Sequence, residues 1–381
     1  MALACERMRG RGPRHYRSFR SFIYAIVLLG LVAAVATMAA GNNRERLRGA
    51  DPAAEPAGVD GARASKASPR RMYWGAWIGS HLTGTEAPWD PKAMGAFEHS
   101  AHKRLSLLQF STPFLDCRSE CAWVYFPKPQ FDAVRAHGAI PFFSWASASI
   151  PVTPRQPAFM LKEIAAGTFD VHIRRWAESA RRWRHPFFLR FNWEMNATDF
   201  PWSYRANGNS ARSYVAAWRH VHDLFRRAGA RNVTWVWCPN ADPAQNPRTL
   251  SSAYPGDAYV DWTCVDVYNF GSPWRSFGRV AGPYYREITG RIAPTKPMVI
   301  AETAAPEKGG SKATWITSML KAIPRMPKIR GVMYFDTYTG GYDWPIESSP
   351  AAQAAFSRGI AARHYVGNDF ARLRSSPIPP P

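Results

Sequence analysis

The stretch PFFLRFNWEMNATDFPW at residues 186–202 joins a short apolar run to a single glutamate, Glu194, which is surrounded by aromatic and amide residues. A run as apolar as PFFL is typical of a strand covered on both faces, as in a parallel sheet. Because the glutamate follows that run, we expect it at the carboxyl end of a buried strand. An acid held among aromatic rings has a raised proton affinity, a property of catalytic acids.

Seven further runs of the same character recur along the chain and are separated by helical periodicity or turn residues. The eight runs occupy residues 71–79, 104–110, 139–145, 186–194, 232–240, 261–269, 296–303 and 331–337. Between two of them, segment 210–229 repeats apolar residues every three or four positions and ends on a glycine, as a helix does. This alternation predicts an α/β fold, a single-domain (β/α)8 TIM barrel with its reactive groups at the strands' carboxyl ends. An open doubly wound sheet is the alternative, but the first run is not followed by dinucleotide-loop glycine spacing.

Composition divides the chain into four parts. Residues 1–41 hold six arginines before position 21 and then a 19-residue uncharged run, which predicts either a cleaved signal peptide or a signal anchor. Residues 42–70 have the composition of a flexible linker, residues 71–365 contain the barrel, and residues 366–381 form a proline-rich tail with no fold of its own. The arginines should stay in the cytoplasm, so we expect a secreted or membrane-anchored catalytic domain outside it.

The formal net charge of +21 raises the question of nucleic acid, but the basic residues are scattered and accompany no nucleic-acid fold signature. A solvated basic surface is the preferred interpretation, and no nucleic-acid partner is expected. Export would place the cysteines in an oxidising compartment. Cys117 and Cys121 are spaced for a small disulfide, whereas Cys238 and Cys264 are either a second disulfide or two buried thiols. No histidine pairs accompany these cysteines at ligand spacing, so no metal site is predicted.

Two glutamates stand at strand ends. Glu194 ends the fourth run and Glu302 ends the seventh, and strands four and seven lie nearly opposite each other in an eight-stranded barrel. A retaining glycosidase needs two carboxyl groups about 5–5.5 Å apart, one to protonate the leaving oxygen and one to attack the anomeric carbon. Each glutamate alone is equally well explained as a loop charge, but the pair on these strands favours catalysis. The aromatic content of 14% favours sugars as ligands.

The segment at 190–202 resembles the fourth-strand pattern R-x-x-H-E-M-N-G-x-W-x-x-W of glycoside hydrolase family 26, a group of β-mannanases and related β-glucanases and xylanases. The resemblance covers about residues 72–350, and the family belongs to the barrel glycosidases with catalytic glutamates on strands four and seven. It implies that Glu194 is the acid/base, that Glu302 is the nucleophile, and that Tyr268 hydrogen-bonds the nucleophile. The positions that match the pattern are Arg190, Glu194, Met195, Asn196 and Trp202.

Two positions depart from the family pattern. Trp193 stands where the family has the histidine before the acid/base, and Asp199 stands where it has the first tryptophan of W-x-x-W. Both family residues would contact the sugar, so the departures leave the glycan open, mannan most of all. They also raise an alternative function, a catalytically impaired carbohydrate-binding protein of the cell envelope. A third possibility, a basic protein that binds anionic polymer, rests on charge alone.

Several polar and aromatic residues at the expected barrel mouth are candidates for substrate binding. They are Arg190, Asn192, Trp193, Trp202, Asn240, Tyr268, Trp344 and Trp145. Arg190 is explained equally well as an ion pair inside the barrel, and Trp145 equally well as core. The resulting expectation is a monomeric, retaining endo-β-glycanase that acts on β-mannan or β-glucan without metal or organic cofactor.

Overall fold

The computed structural model describes residues 70–368 and 370–381. The predicted hydrophobic segment at 22–40 and residues 42–69 of the predicted linker lie outside these residues. Within the described part of the chain, no helix is both long enough and apolar enough to cross a membrane.

Eight parallel strands form one closed sheet. They are β1 (Tyr73–Ile78), β2 (Leu107–Asp116), β3 (Ile140–Ile150), β4 (Phe187–Phe191), β5 (Val233–Trp237), β6 (Trp262–Tyr268), β7 (Met298–Ala304) and β8 (Ile329–Asp336). Each strand pairs with the next, and β1 also pairs with β8, which closes the barrel. The closure confirms the predicted (β/α)8 barrel and excludes the open sheet.

Helices cover the outside of the barrel. They are α1 (Pro91–Ala101), α2 (Lys128–Ala136), α3 (Leu161–Ala165), α4 (Asp170–Trp183), α5 (Ala211–Arg227), α6 (Phe277–Glu287), α7 (Lys312–Ala322) and α8 (Pro350–Ile360). The periodic segment 210–229 is α5, as predicted. The Ser210 side chain caps its first turn by accepting a hydrogen bond from the backbone N–H of Ser213. Gly229 follows the helix with a φ of 74°, in the left-handed region that glycine adopts at little cost.

Aromatic rings fill the layer between the strands and the helices. The ring of Trp145 on β3 stacks on that of Trp176 on α4, with their centroids 4.7 Å apart, and lies 5.9 Å from Phe225 on α5. Burying one such side chain contributes roughly 1.5–3 kcal/mol to folding. This layer fixes the helices against the barrel and so holds the strand ends in place.

Strands β2 and β3 extend beyond their neighbours at the mouth of the barrel. Along the register of each strand pair, β2 continues for six residues beyond the end of β1. In the same way, β3 continues for five residues beyond the end of β4. A short strand, Ala122–Trp123, pairs antiparallel with the tip of β2. The disulfide between Cys117 and Cys121 closes the intervening turn. We call this extension, residues 113–126 and 146–150, the flap.

The C-terminal segment packs across the amino-terminal end of the barrel. Apart from the 3-10 helix Phe370–Arg372 it has no regular secondary structure, but Ile378 is buried. The backbone N–H of Ile378 donates to Thr234 Oγ1 at 2.8 Å, and its carbonyl accepts from Trp262 Nε1 at 2.8 Å. The proline-rich residues therefore lie against the barrel rather than apart from it.

Candidate active site

Glu302 is a carboxylate surrounded by hydrogen-bond donors inside the barrel. It lies on β7, almost fully buried, and accepts hydrogen bonds from Gln109 Nε2 at 2.7 Å and from the Tyr268 hydroxyl at 2.7 Å. A third donor is the guanidinium of Arg190, which bonds the same oxygen as Gln109. The carboxyl group of Glu302 is thus held in place by three donors from three different strands.

Glu194 stands in a turn directly after β4. The residue has a φ of 52°, a conformation that costs a non-glycine residue roughly 1–3 kcal/mol and that clusters at functional sites. Its backbone N–H donates to the carbonyl of Cys238 at 2.7 Å, which fixes the turn against the end of β5. The Asn240 amide donates to its carboxyl group at 2.6 Å.

The electrostatic environment of Glu194 favours its protonated form. Burial raises its pKa to about 7, and the negative charge of Glu302 acts in the same direction. The Asn240 hydrogen bond and the Arg190 charge lower the pKa but do not cancel these effects. Asp199 adds a further negative charge that raises it. A carboxyl group with a pKa near 7 can act both as an acid and as a base at neutral pH.

A third buried carboxylate, Asp266 on β6, completes the arrangement. One carboxylate oxygen each of Glu194, Asp266 and Glu302 lie within 4.8 Å of one another. Arg190 provides the balancing charge, since its Nη1 donates to Asp266 at 2.7 Å while its Nη2 bonds Glu302. Its Nε donates to Ser144 Oγ at 2.9 Å, which fixes the plane of the guanidinium. We call Arg190, Glu194, Asp266 and Glu302 the central cluster.

The aromatic candidates near Glu194 form a buried support. The ring of Trp193 lies 5.0 Å from the Arg190 guanidinium, a cation–π contact. Behind it, Trp202 is fully buried and its Nε1 donates to the Trp193 carbonyl at 2.7 Å. Phe200 stacks on Trp202 with centroids 4.6 Å apart. Trp193 therefore borders the central cluster, whereas Trp202 holds the turn from behind.

The side chains of three other candidates are occupied by contacts with neighbouring residues. The side chain of Asn192 bonds both the backbone N–H and the hydroxyl of Ser147, at 2.9 and 2.8 Å, and so ties the turn to β3. Trp145 is fully buried between β3 and the helices, where it presents no face to solvent. Trp344 is also fully buried, stacked on Tyr342 at 4.3 Å and 5.4 Å from the ring of Tyr268.

Three residues of the site were not predicted, although the sequence carries a signal for each: Gln109, Ser144 and Asp266. Each is a polar residue within an apolar strand, in LLQF, FFSW and CVDV respectively. A polar side chain inside a fully buried strand has to find a hydrogen-bond partner. In a closed barrel, the interior is where strands far apart in sequence can supply one.

A second buried ionic group lies beside the mouth, at β1 and β8. His81 Nε2 is 3.2 Å from Asp336 Oδ2 and 3.3 Å from Glu347 Oε2. Burial alone would lower the pKa of His81, but the hydrogen bonds and charges of the two carboxylates outweigh it and raise the pKa to about 9. We call His81, Asp336 and Glu347 the rim cluster.

Side chains that could ligate a metal ion approach one another in both clusters. In the central cluster, one oxygen from each of the three carboxylates lies within 4.8 Å of the other two. In the rim cluster, one nitrogen or oxygen from each of the three side chains does the same. In each, a cationic side chain already contacts two carboxylates, Arg190 in the first and His81 in the second. The positive charge that the carboxylates need is thus supplied by the protein itself.

Comparison with known proteins gives a consistent result. A model of glycosyl hydrolase family 26 matches residues 133–351. Endoglucanase H of Acetivibrio thermocellus is 32% identical over 297 residues, which are 76% of this chain and 30% of that protein. A β-1,3-xylanase of a Vibrio species is 30% identical over 114 residues, 28% of this chain and 22% of that protein. The chain thus spans less than a third of the length of these curated relatives.

Solved structures of similar shape include two from the same family. The GH26 β-mannanase BoMan26A from Bacteroides ovatus superposes with a TM-score of 0.58 at 15% identity, covering 78% of this chain and 91% of that one. GH26C from a Muricauda species gives a TM-score of 0.61 at 16% identity, covering 80% and 90%. At such low identity these structures support the barrel fold alone.

Proposed function

Because the chain belongs to glycosyl hydrolase family 26, we propose that it is a retaining endo-β-glycanase that hydrolyses a β-linked polysaccharide. By family it is a glycoside hydrolase, the class that acts on O-glycosyl bonds. In the proposal Glu194 is the acid/base and Glu302 is the nucleophile of a double displacement.

The main support for this proposal is the short distance between the carboxyl groups of Glu194 and Glu302. Oxygens of Glu194 and Glu302 lie within 4.8 Å of each other. Retaining glycosidases have about 5–5.5 Å between their carboxyl groups, whereas inverting ones need about 6.5–9.5 Å to hold a water molecule. The short distance therefore supports direct attack by Glu302 on the anomeric carbon.

In the first step, a carboxylate oxygen of Glu302 bonds to the anomeric carbon while the bond to the leaving oxygen breaks. Glu194 transfers its proton to that oxygen, which leaves as an alcohol. Gln109 and Arg190 both bond Oε1 of Glu302, while Oε2 accepts a single hydrogen bond from the described residues, that of Tyr268. Oε2 therefore keeps the more available lone pair, and we assign the attack to it.

In the second step, Glu194 removes a proton from water, which attacks the anomeric carbon and releases Glu302. Formation of the glycosyl ester removes the negative charge of Glu302, which had helped to raise the pKa of Glu194. The pKa of Glu194 then falls and its ionised form becomes available as the base. The same proximity thus supports both roles in turn.

Among substrates, β-glucan is the first candidate and β-mannan the second. The 32% identical relative is described as an endoglucanase. The β-mannanase structure BoMan26A shares only 15% of its residues with this chain. The tryptophan at 193 also replaces the histidine expected of the family pattern, which weakens the argument for mannan.

Product analysis tests this proposal. The protein would be incubated with mannan, mixed-linkage β-glucan, β-1,3-glucan and xylan, while NMR follows the anomer formed first and viscometry follows chain length. We expect a β-anomer and an early drop in viscosity on at least one polymer. An α-anomer first would refute retention. Binding without release of product would instead favour the carbohydrate-binding alternative.

We propose further that the barrel acts outside the cytoplasm, secreted or anchored by its N-terminal segment. Support comes from the arginines before the uncharged run at 22–40. A second support is the pair of disulfides, Cys117–Cys121 and Cys238–Cys264, since such bonds persist in oxidising compartments. Protease treatment of intact cells should degrade the barrel of an anchored protein, and a protected barrel in the cytoplasmic fraction would refute export.

A further inference from the structure

The flap carries an unusual pair of exposed aromatic rings. All 16 tryptophans of the chain lie in the described residues, and Trp123 alone among them is exposed, at 39%. Tyr125, two residues further along, is 46% exposed. Both follow the disulfide-closed turn of the flap, and Trp123 is held in register opposite Leu115 of β2. The rings therefore stand on a rigid support rather than on a free loop.

One face of the Trp123 ring packs against another aromatic ring. Its ring stacks on that of His172, with centroids 4.6 Å apart and an angle of 29° between the planes. Phe114 and Trp145 lie behind His172, at 5.0 and 5.9 Å. Neither ring nitrogen of His172 has a hydrogen-bond partner within the described part of the chain. Burial, aided by the charge of Arg175, lowers the pKa of His172 to about 4, so the support is an uncharged aromatic stack.

Tyr125 lies beside the same support. Its ring centroid is 5.7 Å from that of His172, and its hydroxyl accepts a weak hydrogen bond from Arg175 Nη1 at 3.4 Å. His172 lies at the start of α4 and packs against Trp145, a side chain of β3 that faces the helices, so both rings lie on the helix side of the flap.

The size of the exposed surface limits what can cover it. A large aromatic side chain offers roughly 150–250 Å², of which less than half is exposed in each ring here. The pair therefore offers well under the roughly 800 Å² per partner that a stable protein interface buries. Two flat, braced, uncharged rings instead match the apolar faces of one or two sugar residues.

We propose that Trp123 and Tyr125 form an accessory binding platform for the polysaccharide, separate from the catalytic cleft. This inference rests on the proposed function, since it takes the glycan to be the substrate. A strand held at the platform has a raised effective concentration near the cleft. The benefit applies to polymers, which can reach both places at once, and not to short oligosaccharides.

Kinetics on long and short substrates test the platform. For the full chain carrying Trp123→Ala and Tyr125→Ala together, we expect KM for mixed-linkage β-glucan or glucomannan to rise about tenfold, a typical loss for aromatic contacts. The values of kcat/KM for a tetrasaccharide of the same glycan should stay within about twofold. Trp123→Phe, which keeps a ring on His172, should restore most of the polymer affinity. An unchanged KM for polymer, or equal losses on both substrates, would overturn the proposal.

A binding assay separates this inference from the proposed function. The Glu302→Gln variant would be run through gels that contain either polymer, with the tetrasaccharide added to occupy the cleft. Retardation that remains under these conditions, and that Trp123→Ala with Tyr125→Ala abolishes, supports the platform even if turnover is absent. Equal mobility with and without both polymers would contradict the platform even if the enzyme is active. Melting temperatures would show that the variants are folded.

Discussion

The central cluster and the rim cluster are built on the same plan but differ in their cation. Each places one cationic side chain between two carboxylates at the carboxyl end of the barrel, Arg190 in the first and His81 in the second. Arginine stays charged at any pH that a protein survives, whereas histidine can lose its proton. The central cluster therefore keeps its cation at any such pH, while the rim cluster loses its cation as pH rises through about 9.

A second difference is that only the central cluster has an additional acid. Glu194 lies close to Glu302 but has Asn240, rather than a cation, as its side-chain hydrogen-bond partner. Its pKa of about 7 arises from that position, since burial and the charge of Glu302 both act on it. A permanent cation thus balances the carboxyl group of Glu302, whereas Glu194, which has no such bond, keeps a raised pKa.

The largest expected effect is that of Glu302→Gln. An amide cannot attack the anomeric carbon, so we expect kcat on the polymer to fall by at least about a thousandfold. The matched change in the rim cluster, Glu347→Gln, should leave kcat within about threefold. Initial rates on both variants check this, with melting curves to confirm folding. More than a few per cent of activity in Glu302→Gln would show that Glu302 is not the nucleophile.

Glu194→Ala should give a loss that depends on the leaving group. A polysaccharide needs a proton on its leaving oxygen, so we expect a loss of about 10²–10⁴-fold, and a much smaller one for an aryl glycoside whose phenolate leaves unaided. Added azide should enter the vacated space and form a β-glycosyl azide. Equal losses on both substrates and no azide product would assign Glu194 to structure.

The pH profile of the unmodified enzyme tests the same residue. Its acid role requires the protonated form, so kcat/KM on the polymer should fall as pH rises through about 7, the pKa of Glu194. The aryl glycoside should lack this loss in its first step. A polymer profile that stays flat to pH 9 would contradict the assignment.

A smaller effect is expected for Asp266→Asn, the test of how Arg190 is held. The amide keeps the shape but removes the charge that Arg190 Nη1 contacts at 2.7 Å, so the guanidinium should shift relative to Glu302. Misplacement of a catalytic group by 1 Å can cost about a hundredfold, so we expect a fall in kcat of roughly 10–100-fold with little change in KM. Asp336→Asn, an equally buried aspartate in the rim cluster, is the control and should leave kcat within about threefold. A similar fall in kcat for both variants would mean that the substitutions act by destabilising the protein and not by displacing Arg190.

The smallest effect concerns stability and pH. The pKa of His81 is about 9 in the folded protein, compared with an ordinary value of 6.5. Its charge therefore contributes fully to the free energy of unfolding below about pH 6.5, and this contribution is lost as pH rises through about 9. His81→Ala should lower the free energy of unfolding by roughly 1–3 kcal/mol at pH 6, between the values for surface and buried ion pairs. Denaturant melts at several pH values check this. A difference from the unmodified protein that persists at pH 10 would argue for packing instead of charge.

The sequence was sufficient to predict the barrel and to locate Glu194 and Glu302 near the carboxyl ends of two strands. Apolar runs mark the strands because both faces of a parallel sheet are covered, and the end of such a run locates the strand's carboxyl end. Glu194 and Glu302 follow from that rule. An apolar run does not show which of its residues face the barrel interior, because alternate side chains of a strand point to opposite faces of the sheet. Ser144 therefore meets Arg190 inside the barrel, whereas its neighbour Trp145 packs against α4.

The hydrogen-bond partners of the site residues depend on the tertiary structure. Gln109 bonds Glu302 across 193 positions of sequence, and Ile378 bonds Thr234 across 144. Such contacts depend on the closure of the barrel and on the register of each strand pair, which no local pattern encodes. The same holds for Asn192, whose amide is taken by Ser147. The local sequence thus specifies which functional groups stand at the strand ends. Folding specifies which of these groups meet, because a hydrogen bond forms only between atoms about 3 Å apart.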